Sequence, residues 1–308
     1  RLNGVRYVGS PFMDVQVRLQ RMAERGIDFQ VLSPNPLTYF HFIPAADAIR
    51  FCAIHNDALA KIVRAHPDKL AGLAALPLQA PQAAAQELER AVKELGLVGA
   101  GFGTDASLPL DDASLDTLYA KAVELDVPLF IHPGPAGIDG PAGDPALKRF
   151  ELDIIAGFSG QETLAAATLI YGGVLDRHPG LDVCLSHGGG ATALLMGRMA
   201  KGARKRPWSP PALREPGAFE QRLKRLWFDV HLEHQQTLEL LGAVVGREHL
   251  VYGTNFAGWD EPDAPAPGEE EEVDRVPAFL ADNARRLLRA DPLDSRLRGN
   301  AVAVTNHA

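Results

Sequence analysis

The sequence predicts an α/β fold, a (β/α)8 TIM barrel whose first strand is missing from this chain. Three observations predict it. Seven short apolar runs alternate with amphipathic helical segments. The runs are continuous rather than alternating, as expected of parallel strands covered on both faces. The first helical segment precedes the first run, so an eighth strand is expected upstream of Arg1. Strands joined by single helices lie parallel through right-handed crossovers. An open doubly wound sheet shares this pattern, and the count of eight favours the closed ring.

The elements follow in order. A helix opens at Asp14, a good N-cap, and ends at Gly26, with Val15, Leu19 and Met22 on one face. Ile27–Ser33 reads as a buried strand. The spacing of Phe51, Ile54, Ala58 and Ile62 predicts the apolar stripe of a helix over about 45–65. The strand Leu70–Leu76 follows. The next helix carries Ala84, Leu88, Val92 and Leu95, and Gly96 stops it. Leu97–Gly103 is a strand, and Leu115, Leu118, Ala122 and Leu125 mark a helix. Val127–His132 is a strand running into a Pro/Gly loop at 133–145, followed by a helical stretch over about 147–177. The remaining strands are Leu181–His187, Arg225–His231 and His249–Thr254, with helices at about 235–246 and 273–289. The acidic run Glu269–Glu272 reads as a loop leading into the last helix. Residues 1–292 form one barrel domain in this reading. Residues 293–308 have no periodic apolar face and read as a disordered or appended tail.

Composition narrows the function. The chain has 308 residues, 31 basic and 39 acidic, for a net charge of −8, which argues against a general nucleic-acid surface. There is no apolar run of membrane-spanning length and no secretory signal. Two cysteines far apart, Cys52 and Cys184, exclude a disulfide framework and fit a reducing cytoplasm. The partner expected is a small molecule.

In a parallel barrel the chemistry sits at the strand C-terminal ends. Those ends are Ser33, Pro77, Gly103, His132, His187, His231 and Asn255. Two have a telling context. In Phe130-Ile131-His132-Pro133 a histidine ends an apolar strand and proline stops it. In Leu185-Ser186-His187-Gly188-Gly189-Gly190 three glycines open a tight turn that lets backbone approach a ligand; a phosphate cradle and a merely close-packed turn are the competing readings. Imidazoles converging from different strands suit a divalent metal or general acid/base work. Asn255, in Tyr252-Gly253-Thr254-Asn255-Phe256, is a weak neutral oxygen ligand or a loop hydrogen-bonding residue. His231 and His234 could line the pocket. His55, His66 and His178 read as surface or capping residues, and His249 lies at the wrong end of its strand. No nucleophile elbow, P-loop or dinucleotide fingerprint is present.

These three stretches resemble the amidohydrolase-2 family, and within it the aminocarboxymuconate-semialdehyde decarboxylase-like group. Arg21–Gly26, Leu73–Pro81 and Asn283–Leu287 support the resemblance, which spans about 5–290. It implies a metal-dependent barrel that decarboxylates without oxidation a small carboxylated aromatic or muconate-like substrate. It also implies a divalent metal (zinc before manganese), His132 and the Asn255 position as metal ligands, and His187 as the general acid/base. Arg6 and Arg206 fall where the family grips substrate carboxylates, Arg206 across a homodimer interface. The family's His-x-His pair is absent from this chain, and its strand-end Asp is Asn255, which removes one negative charge and a hard ligand. Two further readings share the sequence: a metal-dependent hydrolase or hydratase on the same barrel, and an inactive or truncated paralogue.

Overall fold

The computed structural model describes residues 10–11, 13–106, 108–134, 144–232, 234–256, 277–289 and 302–305. The strands are β1 (Phe29–Leu32), β2 (Leu70–Gly72), β3 (Ala100–Gly103), β4 (Leu129–His132), β5 (Val183–Leu185), β6 (Trp227–Asp229), β7 (Leu250–Val251), β8 (Gly253–Thr254) and β9 (Val302–Thr305). All their pairings are parallel, in the orders β2-β1-β9-β8 and β3-β4-β5-β6-β7. Two links join these arcs. A bridge between Ala74 and Ala100 connects β2 to β3. Tyr252 carries β7 directly into β8. The result is a closed ring of eight strand positions, as the alternating pattern predicts.

One position is filled unexpectedly. The place anticipated for a strand upstream of Arg1, between β1 and β8, is taken by β9. Val302–Thr305 pair with Phe29–Leu32 on one side, and Val304 and Thr305 pair with Gly253 and Thr254 on the other. Of the two readings of 293–308, a disordered or an appended tail, the disordered one is therefore corrected for these four residues. Four residues are too few to show a period, but two open strand edges give their backbone groups partners on both sides.

Between the strands lie α1 (Val15–Glu24), α2 (Ala45–Ala65), α3 (Pro81–Lys93), α4 (Asp116–Leu125), the chain of α5 (Leu152–Ile155), α6 (Gly157–Tyr171) and α7 (Val174–Arg177), then α8 (Thr192–Lys205), α9 (Pro211–Arg214), α10 (Ala218–Leu223), α11 (Gln235–Val245) and α12 (Ala278–Leu287). The Asp14 side chain caps α1 by accepting from the N–H groups of Gln16 and Val17. His66 and His178 cap the ends of α2 and α7, as predicted. The stripe predicted for α2 is corrected. Ile54 is 60 % exposed, and the buried face carries Ala48, Cys52, Asn56, Leu59 and Ala60. Asn56 disguises that face in the sequence. It is buried because it holds both backbone groups of Ala75, accepting from the N–H and donating to the C=O.

Strand alternation separates two cores. Ala100, Phe102, Leu129, Ile131, Val183, Leu185, Phe228 and Leu250 face the helices, packing with residues such as Leu88, Leu118 and Leu169. Phe29, Val31, Ala71, Leu73, Phe130, Cys184, Trp227 and Val251 form the barrel interior. Ala281, Ala284, Leu287 and Leu288, in and just after α12, join this inner set. Asn283 donates to the carbonyls of Arg247 and Leu250, and Arg289 pairs with Asp126 and Asp182, residues that precede strands. So α12 closes the N-terminal end of the barrel, which leaves the other end for chemistry. His249, its ring tilted against that of Trp227 with centroids 4.5 Å apart, lies at that closed end, as predicted. Arg6 and the acidic run Glu269–Glu272 fall outside the described residues. No helix among the described residues is long and apolar enough to cross a membrane.

Candidate active site

The alternation that buries Phe130, Cys184, Trp227 and Val251 inside the barrel turns the residues two further on to the same side. These are His132, Ser186, Asp229 and Gly253, with Asn255 two beyond. They ring the open mouth. His132 is 3 % exposed and its Nδ1 lies 2.7 Å from the Pro133 carbonyl oxygen. A carbonyl can only accept, so Nδ1 carries the proton and Nε2 keeps a lone pair. The ring centroids of His132 and His187 are 5.0 Å apart, and those of His187 and His231 are 5.5 Å apart. Phe158 contacts both of the first two rings. The structure thus brings together His132, His187 and His231.

His187 leaves β5 in a left-handed conformation, φ +44°, and Gly188, Gly189 and Gly190 continue with positive φ. A Cβ on Gly189 would stand 2.6 Å from the Phe228 ring, and one on Gly190 2.0 Å from the Ser159 carbonyl oxygen. The glycines therefore serve a tight turn packed against protein, and the phosphate-cradle reading finds no support.

Two buried carboxyls flank His187, and sequence reasoning missed both. Glu162 on α6 is wholly buried. Its Oε2 is 3.3 Å from His187 Nδ1, and its Oε1 accepts from the Ser186 hydroxyl. Burial pushes its pKa up to about 7, against the opposing pull of His187 and Ser186. Asp229 ends β6; its Oδ1 accepts from the His231 N–H at 3.1 Å, and burial raises its pKa. Gly253 makes room for it, since a Cβ there would lie 2.5 Å from the Asp229 carboxyl carbon. Both had a signal in the sequence. Glu162 shares a helical face with the buried Ala165, Ala166 and Leu169, and Asp229 shares strand parity with Trp227.

A third group, also missed, covers β3 and β4. Gly103 is the register partner of His132, and its N–H donates to His41 Nε2 at 3.2 Å. The proton of His41 therefore sits on Nδ1, a buried atom with no hydrogen-bond partner among the described residues. Burial lowers the His41 pKa to about 4. Tyr39 stacks on His41 at 5.6 Å, and the Asp105 carboxyl fills the space left by the missing side chains of Gly103 and Gly134. The signal here was an aromatic-rich loop, Tyr39-Phe40-His41-Phe42, at a strand C-terminal end.

Asn255 is buried at the end of β8, 6 % exposed, on the inner side. Arg206 is exposed at the C-cap of α8 and makes no described contact with the site of its own chain. Among the described residues, no group of three or more His, Cys, Asp or Glu is placed to hold a metal ion. His132 has the tautomer a metal ligand needs, but with the neutral amide of Asn255 it falls short of a full donor set. On its α1 side, a cavity of about 310 Å³ lies among Arg18, Ser33, Leu37, His55 and Leu59.

Comparison with known proteins is consistent with this arrangement. The amidohydrolase family model matches residues 13–290. The chain is 30 % identical over 252 residues to the 2-amino-3-carboxymuconate-6-semialdehyde decarboxylase of Dictyostelium discoideum, covering 82 % of this chain and 68 % of that one. It is 29 % identical over 252 residues to a 2-keto-4-carboxy-3-hexenedioate hydratase of Sphingobium, covering 78 % and 69 %. A crystal structure of a dihydroxybenzoic acid decarboxylase from Polaromonas, with bound manganese and the inhibitor 2-nitroresorcinol, superposes with a TM-score of 0.73 at 25 % identity, covering 92 % of this chain and 87 % of that one. With the family model spanning both site histidines, the chain belongs to the amidohydrolase family.

Proposed function

We propose that this protein is a metal-dependent, non-oxidative carboxy-lyase acting on a small carboxylated aromatic or muconate-like substrate. The observation that carries this is the convergence of His132 and His187 at 5.0 Å, in a barrel 30 % identical to a decarboxylase. Decarboxylation breaks one C–C bond. The electron pair stays on the substrate carbon, which then takes a proton as carbon dioxide leaves. His187 is the proton carrier, with a ring that faces the mouth between His132 and His231. A divalent metal, zinc in our reading, would be held in part by His132 and Asn255. When bound, it supplies positive charge that stabilises developing negative charge on the substrate. The Polaromonas relative supports a divalent metal through its bound manganese.

Arg6 and Arg206 hold the substrate carboxylate through planar, permanently charged guanidinium groups. For Arg206 this requires a homodimer, because it makes no described contact with its own chain's site. The chain works in the cytoplasm, where the buried free thiols Cys52 and Cys184 stay reduced. Residues 1–292 are the catalytic domain, to which the appended segment 293–308 lends β9.

The Sphingobium relative favours a second reading, addition of water to a double bond on the same site. Product analysis separates the two. The metal-loaded protein is incubated with dihydroxybenzoates, with 2-amino-3-carboxymuconate-6-semialdehyde and with unsaturated dicarboxylates. Carbon dioxide release from a carboxylated aromatic or muconate supports the lyase. Water addition without carbon dioxide release supports the hydratase and overturns the lyase.

A further inference from the structure

A carboxyl group is costly to bury, and the cost is several kcal/mol unless partners replace its water. Glu162 is wholly buried on the face of α6 that otherwise packs Ala165, Ala166, Leu169 and Ile170. Packing alone would be served by an apolar residue. Both of its oxygens are instead committed to the end of β5, Oε1 to the Ser186 hydroxyl and Oε2 to His187 Nδ1 at 3.3 Å. His187 itself sits outside regular strand and helix geometry, at φ +44°.

We propose that Glu162 is the positioning residue of the site, fixing which nitrogen of His187 faces the substrate. The claim rests on the reading of His187 as the proton carrier. Glu162 accepts the Nδ1–H of His187, so the lone pair lies on Nε2, on the opposite edge of the ring. The proton transferred to or from substrate then moves at Nε2, and none has to pass through Glu162. The second bond, from Ser186, fixes the carboxyl plane and prevents it from turning away. A hydrogen bond to one ring nitrogen sets the role of the other.

The test is histidine-selective 15N NMR of the whole protein, with kcat and KM for wild type, Glu162→Ala and Glu162→Gln. Wild type is expected to show His187 protonated at Nδ1 and unprotonated at Nε2. In Glu162→Ala that pattern is lost or mixed, and kcat falls about 100-fold with KM changed less than about threefold. Glu162→Gln, which can still accept from Nδ1, recovers part of both. A folded Glu162→Ala protein with the wild-type His187 signals and wild-type kcat would overturn the proposal. If that variant does not fold, Glu162→Leu, which fills the space but cannot accept a hydrogen bond, is read in its place, and wild-type His187 signals with wild-type kcat there overturn the proposal. Absence of decarboxylation by the wild type sinks the assignment of function alone, because the NMR pattern of His187 is read without turnover.

Discussion

The carbonyl oxygen of Ser159, on α6, occupies the space where a Cβ on Gly190 would stand, 2.0 Å from it. Helix α6 therefore presses directly on the turn that carries His187. Gly190→Ala must move one or the other, and it also forces alanine to φ +63°. The variant is expected to lose about 3 kcal/mol of stability or more, read as a lower urea midpoint. A loss under about 0.5 kcal/mol, the range of ordinary surface changes, would show that the turn is not packed this way.

His187→Asn separates chemistry from folding. Asparagine tolerates the left-handed conformation better than most residues, so the melting temperature should stay close to wild type. Turnover should fall by about 10² to 10⁴, the usual contribution of a general acid/base. A variant that keeps wild-type turnover would move proton transfer to another residue, such as His231, whose ring lies 5.5 Å from that of His187.

Removing residues 302–308 takes away β9 and leaves the edges of β1 and β8 without partners. Such edges pair with other chains. The shortened protein is expected to melt at least about 5 °C lower, roughly 2 kcal/mol for a chain of this size, and to aggregate in light scattering. An unchanged melting curve would mean that the ring closes without these residues.

His41 makes stability pH-dependent. Its pKa falls from 6.5 to about 4 on folding because the charged ring would lose its water. Between these values the unfolded chain binds a proton that the folded one does not. Stability from this group is therefore full above pH 6.5 and declines as the pH drops to about 4, by about 3 kcal/mol. Glu162, raised to about 7, gives an opposite slope over part of this range. The difference between wild type and His41→Gln isolates His41, and urea titrations across this range should show the variant losing less stability on acidification. Parallel curves would contradict the buried, neutral assignment.

The barrel was legible in the sequence because its signal is long-range. Seven apolar runs separated by helices admit few topologies, and strand ends locate His132 and His187 whatever the exact boundaries. What stayed hidden depends on partners. Asn56 looks like a break in an apolar stripe until Ala75 is seen filling its hydrogen bonds. The role of Glu162 emerges only when Ser186 and His187 are placed against it. His41 reads as loop until Gly103 reaches it. Val302–Thr305 carry no pattern of their own, and only the ring position between β1 and β8 makes them a strand.

The most direct test of the central claim follows one substrate molecule through the reaction in D2O. A substrate labelled with 13C in its carboxyl group is incubated with the metal-loaded protein, and gas and product are analysed by mass spectrometry. One labelled carbon dioxide is expected per product, with one deuterium at the carbon that lost it and both yields falling together in His187→Asn. A product that keeps its labelled carboxyl while gaining the elements of water would contradict it.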